Sequence, residues 1–173
     1  MRKSLQYPIG EFKAPERLTN DDIAQWILDI EETPERLKMA LAGLSPQLMD
    51  TPYRHGGWTV KQVVHHLADS HMNSYIRFKL ALTEDKPAIK AYDENSWALL
   101  PDSTELPVDV SVQLLESLHI RWSHLLRSMS KADYDKRFYH PGMGSFISLA
   151  TTLALYSWHG RHHIEHIKLV NVH

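Results

Sequence analysis

The chain contains no cysteine among its 173 residues. This excludes a disulfide framework, a thiolate metal ligand and a nucleophilic cysteine. Apolar runs near the ~20 residues that span a bilayer are also absent, and residues 1–8 lack the apolar core of a signal peptide. We therefore expect a cytoplasmic protein without a membrane partner.

A surplus of positive charge is missing too. Nineteen Lys and Arg residues face 21 Asp and Glu residues, so the formal net charge is −2. Without a basic footprint we expect no nucleic-acid partner. The 43% apolar share and the length are ordinary for one soluble domain, which we predict to span residues 1–173.

Histidine, in contrast, is abundant. The chain has 12, against roughly four expected at the usual frequency of about 2%. Seven of them fall in two short windows, 65–71 and 159–166, where Trp, Leu and Ile are interspersed in amphipathic segments. The clusters therefore belong to the fold.

Four segments show the apolar spacing of a helix. Asn20 is the N-cap we predict for the first, in which Pro34 is expected to cause a kink. Thr59 and Gln62 have the T-x-x-Q form of a capping box at the start of the second. The predicted helices run from about Asn20 to Gly43, Thr59 to Leu82, Val108 to Met129 and Leu149 to Val170.

Two substantial connections separate the last three helices. The first, Lys86 to Pro107, contains three prolines, and the second, Tyr134 to Phe146, has room for a short hairpin that pairs Phe138-Tyr139 with Phe146-Ile147. Strands are too few for an α/β fold. The pattern predicts an all-α four-helix bundle with a long crossover connection.

In the fourth helix, His159 and His163 occupy positions where the apolar stripe calls for core residues. Residues four apart lie on one helix face, and an unpartnered buried imidazole costs about 1–3 kcal/mol. One shared metal ion would satisfy both side chains. The competing pair, His162 and His166, lies on the neighbouring stripe beside charged residues, so we expect it to face solvent.

A third ligand is expected from the second helix, which offers three histidines. Periodicity places His71 near the core stripe and His66 on its flank, and it does not choose between them; His65 is the least favoured. The plainer alternative is that all of these are surface or hydrogen-bonded core histidines, which is the usual role of any one histidine taken alone.

Three neutral imidazoles would leave a divalent ion with an open coordination position, where water or a thiol could be activated. An all-nitrogen set suits zinc, nickel or copper. Three arginines could bind an anionic group of the substrate: Arg54, Arg77 and Arg161. Asp69 and Glu165 could act as general bases or orient the imidazoles. Charged residues of this kind are more often simply exposed to solvent.

Several long runs resemble one family. They are Tyr7 to Gly10, Asp50 to Arg54, Gly56 to Val60, Val63 to Leu80 and Phe138 to Pro141. These runs are similar to those of the YfiT-type metal-dependent hydrolases in the DinB-like superfamily, also described as bacillithiol S-transferases. The similarity extends from Tyr7 to about Ile167.

The resemblance implies an up-down-down-up bundle, a homodimer and one divalent metal, Zn or Ni, per subunit. Its motifs place the ligands at His66, His159 and His163, which selects His66 over His71. Gly160-Arg161 and Glu165 depart from the family's residues without removing a ligand.

The resulting hypothesis is a metal-dependent enzyme that acts on small molecules. The family implies hydrolysis, or transfer of a thiol such as bacillithiol to an electrophile in detoxification. The alternative is a non-catalytic metal-binding or ligand-binding bundle protein.

Overall fold

The computed structural model describes residues 5–17 and 19–170, so the ends of the predicted domain and residue 18 lie outside the described residues. Four long helices make up most of the described chain. A two-stranded antiparallel sheet and four single-turn helices lie in the connections. In chain order the elements are α1 Asn20–Leu41, α2 Pro46–Met49, α3 Val60–Thr83, α4 Glu94–Trp97, α5 Pro101–Thr104, α6 Val108–Ser128, α7 Lys131–Tyr134, β1 Arg137–His140, β2 Ser145–Ser148 and α8 Leu149–Leu169.

The predicted helices are confirmed within about two residues at each end. The capping box at Thr59 and Gln62 is present and begins α3. The predicted N-cap of α1 was wrong: Thr19 occupies that position, because its hydroxyl accepts the Asp22 amide while the Asp22 carboxylate accepts the Thr19 amide. The hairpin is also confirmed, with Phe138 opposite Ile147 and Tyr139 opposite Phe146.

Contacts between the helices fix their directions. Residues 65 and 71 of α3 bond to residues 111 and 119 of α6, so these helices run parallel. Residue 66 of α3 instead meets residue 159 of α8, and residue 70 meets residue 156, so this pair is antiparallel. Asp29 and Thr33 of α1 meet Ser157 and Gly160 of α8 in parallel order. The bundle is therefore up-down-down-up.

The apolar core consists of two clusters along the bundle axis. One is centred on Phe78, Trp122 and Leu153, and the other on Val64, Leu115 and Ile167. The inward-facing histidines lie where the two clusters meet. None of the helices in the described ranges combines the length and apolar character needed to cross a membrane.

Candidate metal centre

Three imidazoles from two antiparallel helices converge inside the bundle. One ligand atom from each of His66, His159 and His163 can be chosen so that all three lie within 4.8 Å of one another. The Nε2 atoms of His66 and His159 are 3.2 Å apart. The structure thus brings together the three residues that the sequence and the resemblance had indicated.

The spacing of these nitrogens fits a metal ion. Two nitrogens held at about 2.0–2.1 Å from a tetrahedral ion would be about 3.3 Å apart, close to the separation observed for His66 and His159. In the described ranges, no fourth histidine or carboxylate joins the set at the same 4.8 Å limit. Three neutral nitrogen donors with an open position are typical of a catalytic rather than a structural site.

A second set of three overlaps the first. His162, His163 and His166 also bring ligand atoms within 4.8 Å of one another. The expectation that His162 and His166 face solvent was wrong: their exposed fractions are 6% and 2%. The chain segment before α1 covers this face of α8, since the Gln6 carbonyl bonds to His166 and the Tyr7 ring packs on His162.

The other α3 histidines bond elsewhere. Nδ1 of His65 lies 2.7 Å from Ser111 Oγ and Nε2 lies 3.2 Å from the Leu106 carbonyl, so this residue connects α3 to the start of α6. His71 is fully buried. Its Nε2 lies 3.2 Å from Nδ1 of His159 and its Nδ1 lies 2.9 Å from Nε2 of His119.

Behind the candidate ligands the hydrogen bonds end on backbone carbonyls. Nδ1 of His119 lies 2.5 Å from the Ile30 carbonyl oxygen. On the other side, Nδ1 of His163 lies 3.3 Å from Nδ1 of His166, whose Nε2 lies 3.1 Å from the Gln6 carbonyl. Sequence reasoning missed His119, although its position between Leu115 and Trp122 places it on the apolar stripe of α6.

Burial keeps these imidazoles neutral. It lowers the pKa of His66, and likewise that of His119, to about 4. The pKa values of His71, His159 and His163 fall well below the usual range, first because of burial and then because of repulsion from neighbouring imidazoles. A neutral imidazole is the form that binds a metal.

In the described part of the chain, the carboxylates considered as partners do not bond to the candidate ligands. Within the described chain, neither Asp69 nor Glu165 has a side-chain hydrogen bond to a ligand histidine. Glu165 instead pairs with Lys168 at 2.6 Å. Burial, with a contribution from Asp102, raises the pKa of Asp69 to about 6. The imidazole partners are therefore other histidines rather than carboxylates.

Arg54 shares a cleft with one of the candidate ligands. It lines a cleft of about 220 Å³ together with His163, His166 and Trp58. The ring of Trp58 lies 4.6 Å from that of His66, centroid to centroid. Arg161 instead lines a larger groove of about 780 Å³ between α1 and α8 that contains none of the three candidate ligands.

The family follows from comparison with known proteins. The model of the DinB superfamily matches residues 29–167, which is more than half of the chain. The chain belongs to the DinB superfamily. The resemblance noted in the sequence is thereby confirmed at the level of the superfamily.

The similarity of this DinB-superfamily protein to its relatives extends over nearly the whole chain. A protein of Bacillus mycoides named "Putative metal-dependent hydrolase" is 56% identical over 165 residues, covering 95% of this chain and 94% of its own. A protein of Bacillus cereus with the same description is 56% identical over 163 residues, covering 94% and 93%.

A solved structure shows the same fold. YfiT from Bacillus subtilis, described as "a probable metal-dependent hydrolase with an unusual four-helix bundle topology", superposes with a TM-score of 0.95 at 50% identity. The match covers 97% of this chain and 96% of that one. A superposition this close over nearly all of both chains shows that the two proteins share the four-helix bundle fold.

Proposed function

We propose that this protein is a metal-dependent enzyme in which His66, His159 and His163 hold one divalent ion, zinc or nickel, per subunit. When bound, such an ion would lower the pKa of a water molecule or thiol at its open position and so supply a nucleophile at neutral pH. The observation that carries this proposal is the convergence of three neutral imidazoles, two of them buried and that of His159 partly buried, without a fourth histidine or carboxylate in the described residues.

The cleft beside His163 supports access to that position. Arg54 lines it, and its guanidinium donates to the Tyr53 hydroxyl at 3.3 Å and to the His55 carbonyl at 3.1 Å. No carboxylate in the described ranges pairs with Arg54 within 4.0 Å. We assign to it the binding of an anionic group on the substrate, because a guanidinium matches carboxylates and phosphates.

Two reactions fit the same site. The description of the relatives as metal-dependent hydrolases supports hydrolysis, with water as the nucleophile. The family resemblance supports transfer of bacillithiol: its sulfur bonds to an electrophilic carbon, the bond from that carbon to the leaving group breaks, and the thiol proton leaves with the displaced group. We propose thiol transfer as the physiological reaction, in a cytoplasmic homodimer; light scattering would test the dimer.

An assay with the metal-loaded protein separates these reactions. We expect bacillithiol to be conjugated to 1-chloro-2,4-dinitrobenzene above the uncatalysed rate, and 4-nitrophenyl acetate to be hydrolysed little. Ester turnover without conjugation would overturn the transferase proposal. A full complement of metal with neither activity would assign the protein a non-catalytic role.

Single-residue variants test the ligands. His66→Ala, His159→Ala and His163→Ala should each lose bound metal by elemental analysis and lose the activity with it. His65→Ala is a matched control, because it removes a buried α3 histidine that bonds instead to Ser111 of α6 and to the Leu106 carbonyl. Arg54→Gln should keep its metal and raise KM for an anionic substrate. Wild-type metal content in any ligand variant would remove that residue from the site.

A further inference from the structure

Two chains of hydrogen bonds lead from backbone carbonyls to the two α8 ligands. The first runs from the Ile30 carbonyl through His119 and His71 to His159. The second runs from the Gln6 carbonyl through His166 to His163. Each neutral imidazole carries one N–H and one bare nitrogen. Fixing the proton at one end of a chain therefore fixes it along the whole chain.

In the first chain a carbonyl oxygen can only accept, so His119 donates from Nδ1 to Ile30 and leaves its Nε2 bare. That bare nitrogen accepts from Nδ1 of His71, whose Nε2 must then be bare. Nε2 of His71 in turn accepts from Nδ1 of His159. The lone pair of His159 is consequently on Nε2, the atom that lies beside His66.

The second chain gives the same result from a different carbonyl. His166 donates from Nε2 to the Gln6 oxygen, so its Nδ1 is bare. That nitrogen accepts from Nδ1 of His163, which leaves Nε2 of His163 as the lone-pair atom. Both α8 ligands thus have a protonated Nδ1 and a bare Nε2.

We infer that His71, His119 and His166 are positioning residues that hold His159 and His163 in the one tautomer able to bind metal through Nε2. His166 accordingly belongs to the supporting shell, and the overlapping set of three is not a second metal site, because both ring nitrogens of His166 are already engaged. The inference rests on the metal site of the proposed function but not on its reaction.

The variants are chosen to preserve or to interrupt the donor-to-acceptor order of each hydrogen-bond chain. In His119→Gln the amide can donate to Ile30 through its NH₂ and accept from His71 through its oxygen, whereas His119→Leu can do neither. His166→Gln and His166→Leu form the same pair for the second chain. His65→Leu is the control, since it removes a buried histidine with two hydrogen bonds outside both chains.

Zinc affinity is measured by competition with a chelator. Loss of an orienting partner typically weakens metal affinity by about 10–100-fold, so we expect that loss in both leucine variants. Affinity in both glutamine variants should recover most of the way to wild type. His65→Leu should bind zinc as the wild type does even if its melting temperature falls. Circular dichroism establishes that each variant is folded.

Long-range ¹H–¹⁵N spectra of the metal-free protein read the tautomers directly. We expect His159 and His163 with a proton on Nδ1, and randomised tautomers for His159 in His119→Leu. A proton on Nε2 of either ligand in the wild type would overturn the inference, as would wild-type zinc affinity in the leucine variants. A second equivalent of zinc that disappears in His162→Leu would establish the second metal site instead. None of these readouts depends on turnover. A failure of the proposed reaction can therefore be distinguished from a failure of this inference.

Discussion

At the scale of single residues, burial makes most of the interior histidines neutral, and this links the stability of the metal-free protein to pH. Burial lowers the pKa of His66 and His119 to about 4. For His162, burial and repulsion from neighbouring imidazoles together lower the pKa to about 4. The pKa of His166 is also lowered to about 4 by burial, which the hydrogen bond to the Gln6 carbonyl offsets only in part. In the unfolded chain a histidine has a pKa of about 6.5. At a pH between about 4 and 6.5, these histidines therefore bind protons in the unfolded state but not in the folded state.

We therefore expect the metal-free protein to unfold in mild acid. The free energy of unfolding is fully present above about pH 6.5 and falls as the pH drops toward 4, by up to about 1.4 kcal/mol per pH unit for each such histidine. Several of them together can exhaust a typical stability of about 5–15 kcal/mol. Circular dichroism in EDTA between pH 8 and pH 4 measures the transition. A metal-free protein that keeps its ellipticity and its chemical-denaturation midpoint at pH 4 would contradict this prediction.

At the same scale, the sequence could indicate the candidate ligands but not the residues that bond to them. The i,i+4 spacing and the apolar stripe pointed to His159 and His163, and family motifs were needed to choose His66 over His71. His119 lies on α6, distant along the chain from both clusters, so nothing local connects it to them. Only the parallel packing of α3 and α6 brings it to His71.

At the scale of elements, the bundle depends on a close approach of α1 and α8 beside the site. A Cβ added to Gly160 would lie 2.9 Å from Thr33 Oγ1 and 3.3 Å from its Cγ2. Thr33 is restrained, because its hydroxyl donates to the Asp29 carbonyl at 2.6 Å. Next to these, the Asp29 carboxylate accepts from Ser157 Oγ at 2.6 Å and pairs with Arg36 at 3.2 Å.

Gly160→Ala should consequently destabilise the protein. Overpacking of this kind costs about 1–3 kcal/mol, more than the helix propensity that alanine adds. Thr33→Ala removes both clashing atoms, so the double variant should be more stable than the sum of the single effects predicts, with a coupling of about 0.5–3 kcal/mol. Urea denaturation of the four proteins measures the coupling. Strictly additive effects would show that the contact does not limit the approach of the helices.

Helix ends and faces differed in how well the sequence predicted them. The capping box at Thr59 is a local pattern, and α3 begins where it indicates. The single-turn helices in the connections are too short to show periodicity and were not predicted. The face of α8 that carries His162 and His166 was misjudged because the segment before α1 packs over it, and helical periodicity gives no information about such a cover.

At the scale of the whole molecule, the candidate site joins α3 to α8 where the two core clusters meet. A metal bound there crosslinks antiparallel helices that are separated by 65 residues of intervening chain between Thr83 and Leu149. Since the unfolded chain does not preform such a site, the binding free energy adds to the free energy of unfolding. The metal is thus expected to stabilise the fold as well as to supply the chemistry.

Metal removal should therefore lower the melting temperature. At a free zinc concentration 100 times Kd, binding adds about 2.7 kcal/mol, which for a domain of this size corresponds to roughly 5–10 °C. Differential scanning calorimetry with zinc and with EDTA measures the difference. In His66→Ala, zinc should raise the melting temperature hardly at all. In the control His65→Ala, zinc should raise it as much as in the wild type, although the melting temperature itself is lower. His66 is the only ligand that the proposed site takes from α3. If zinc raised the melting temperature of His66→Ala as much as that of the wild type, the stabilising ion would therefore bind elsewhere.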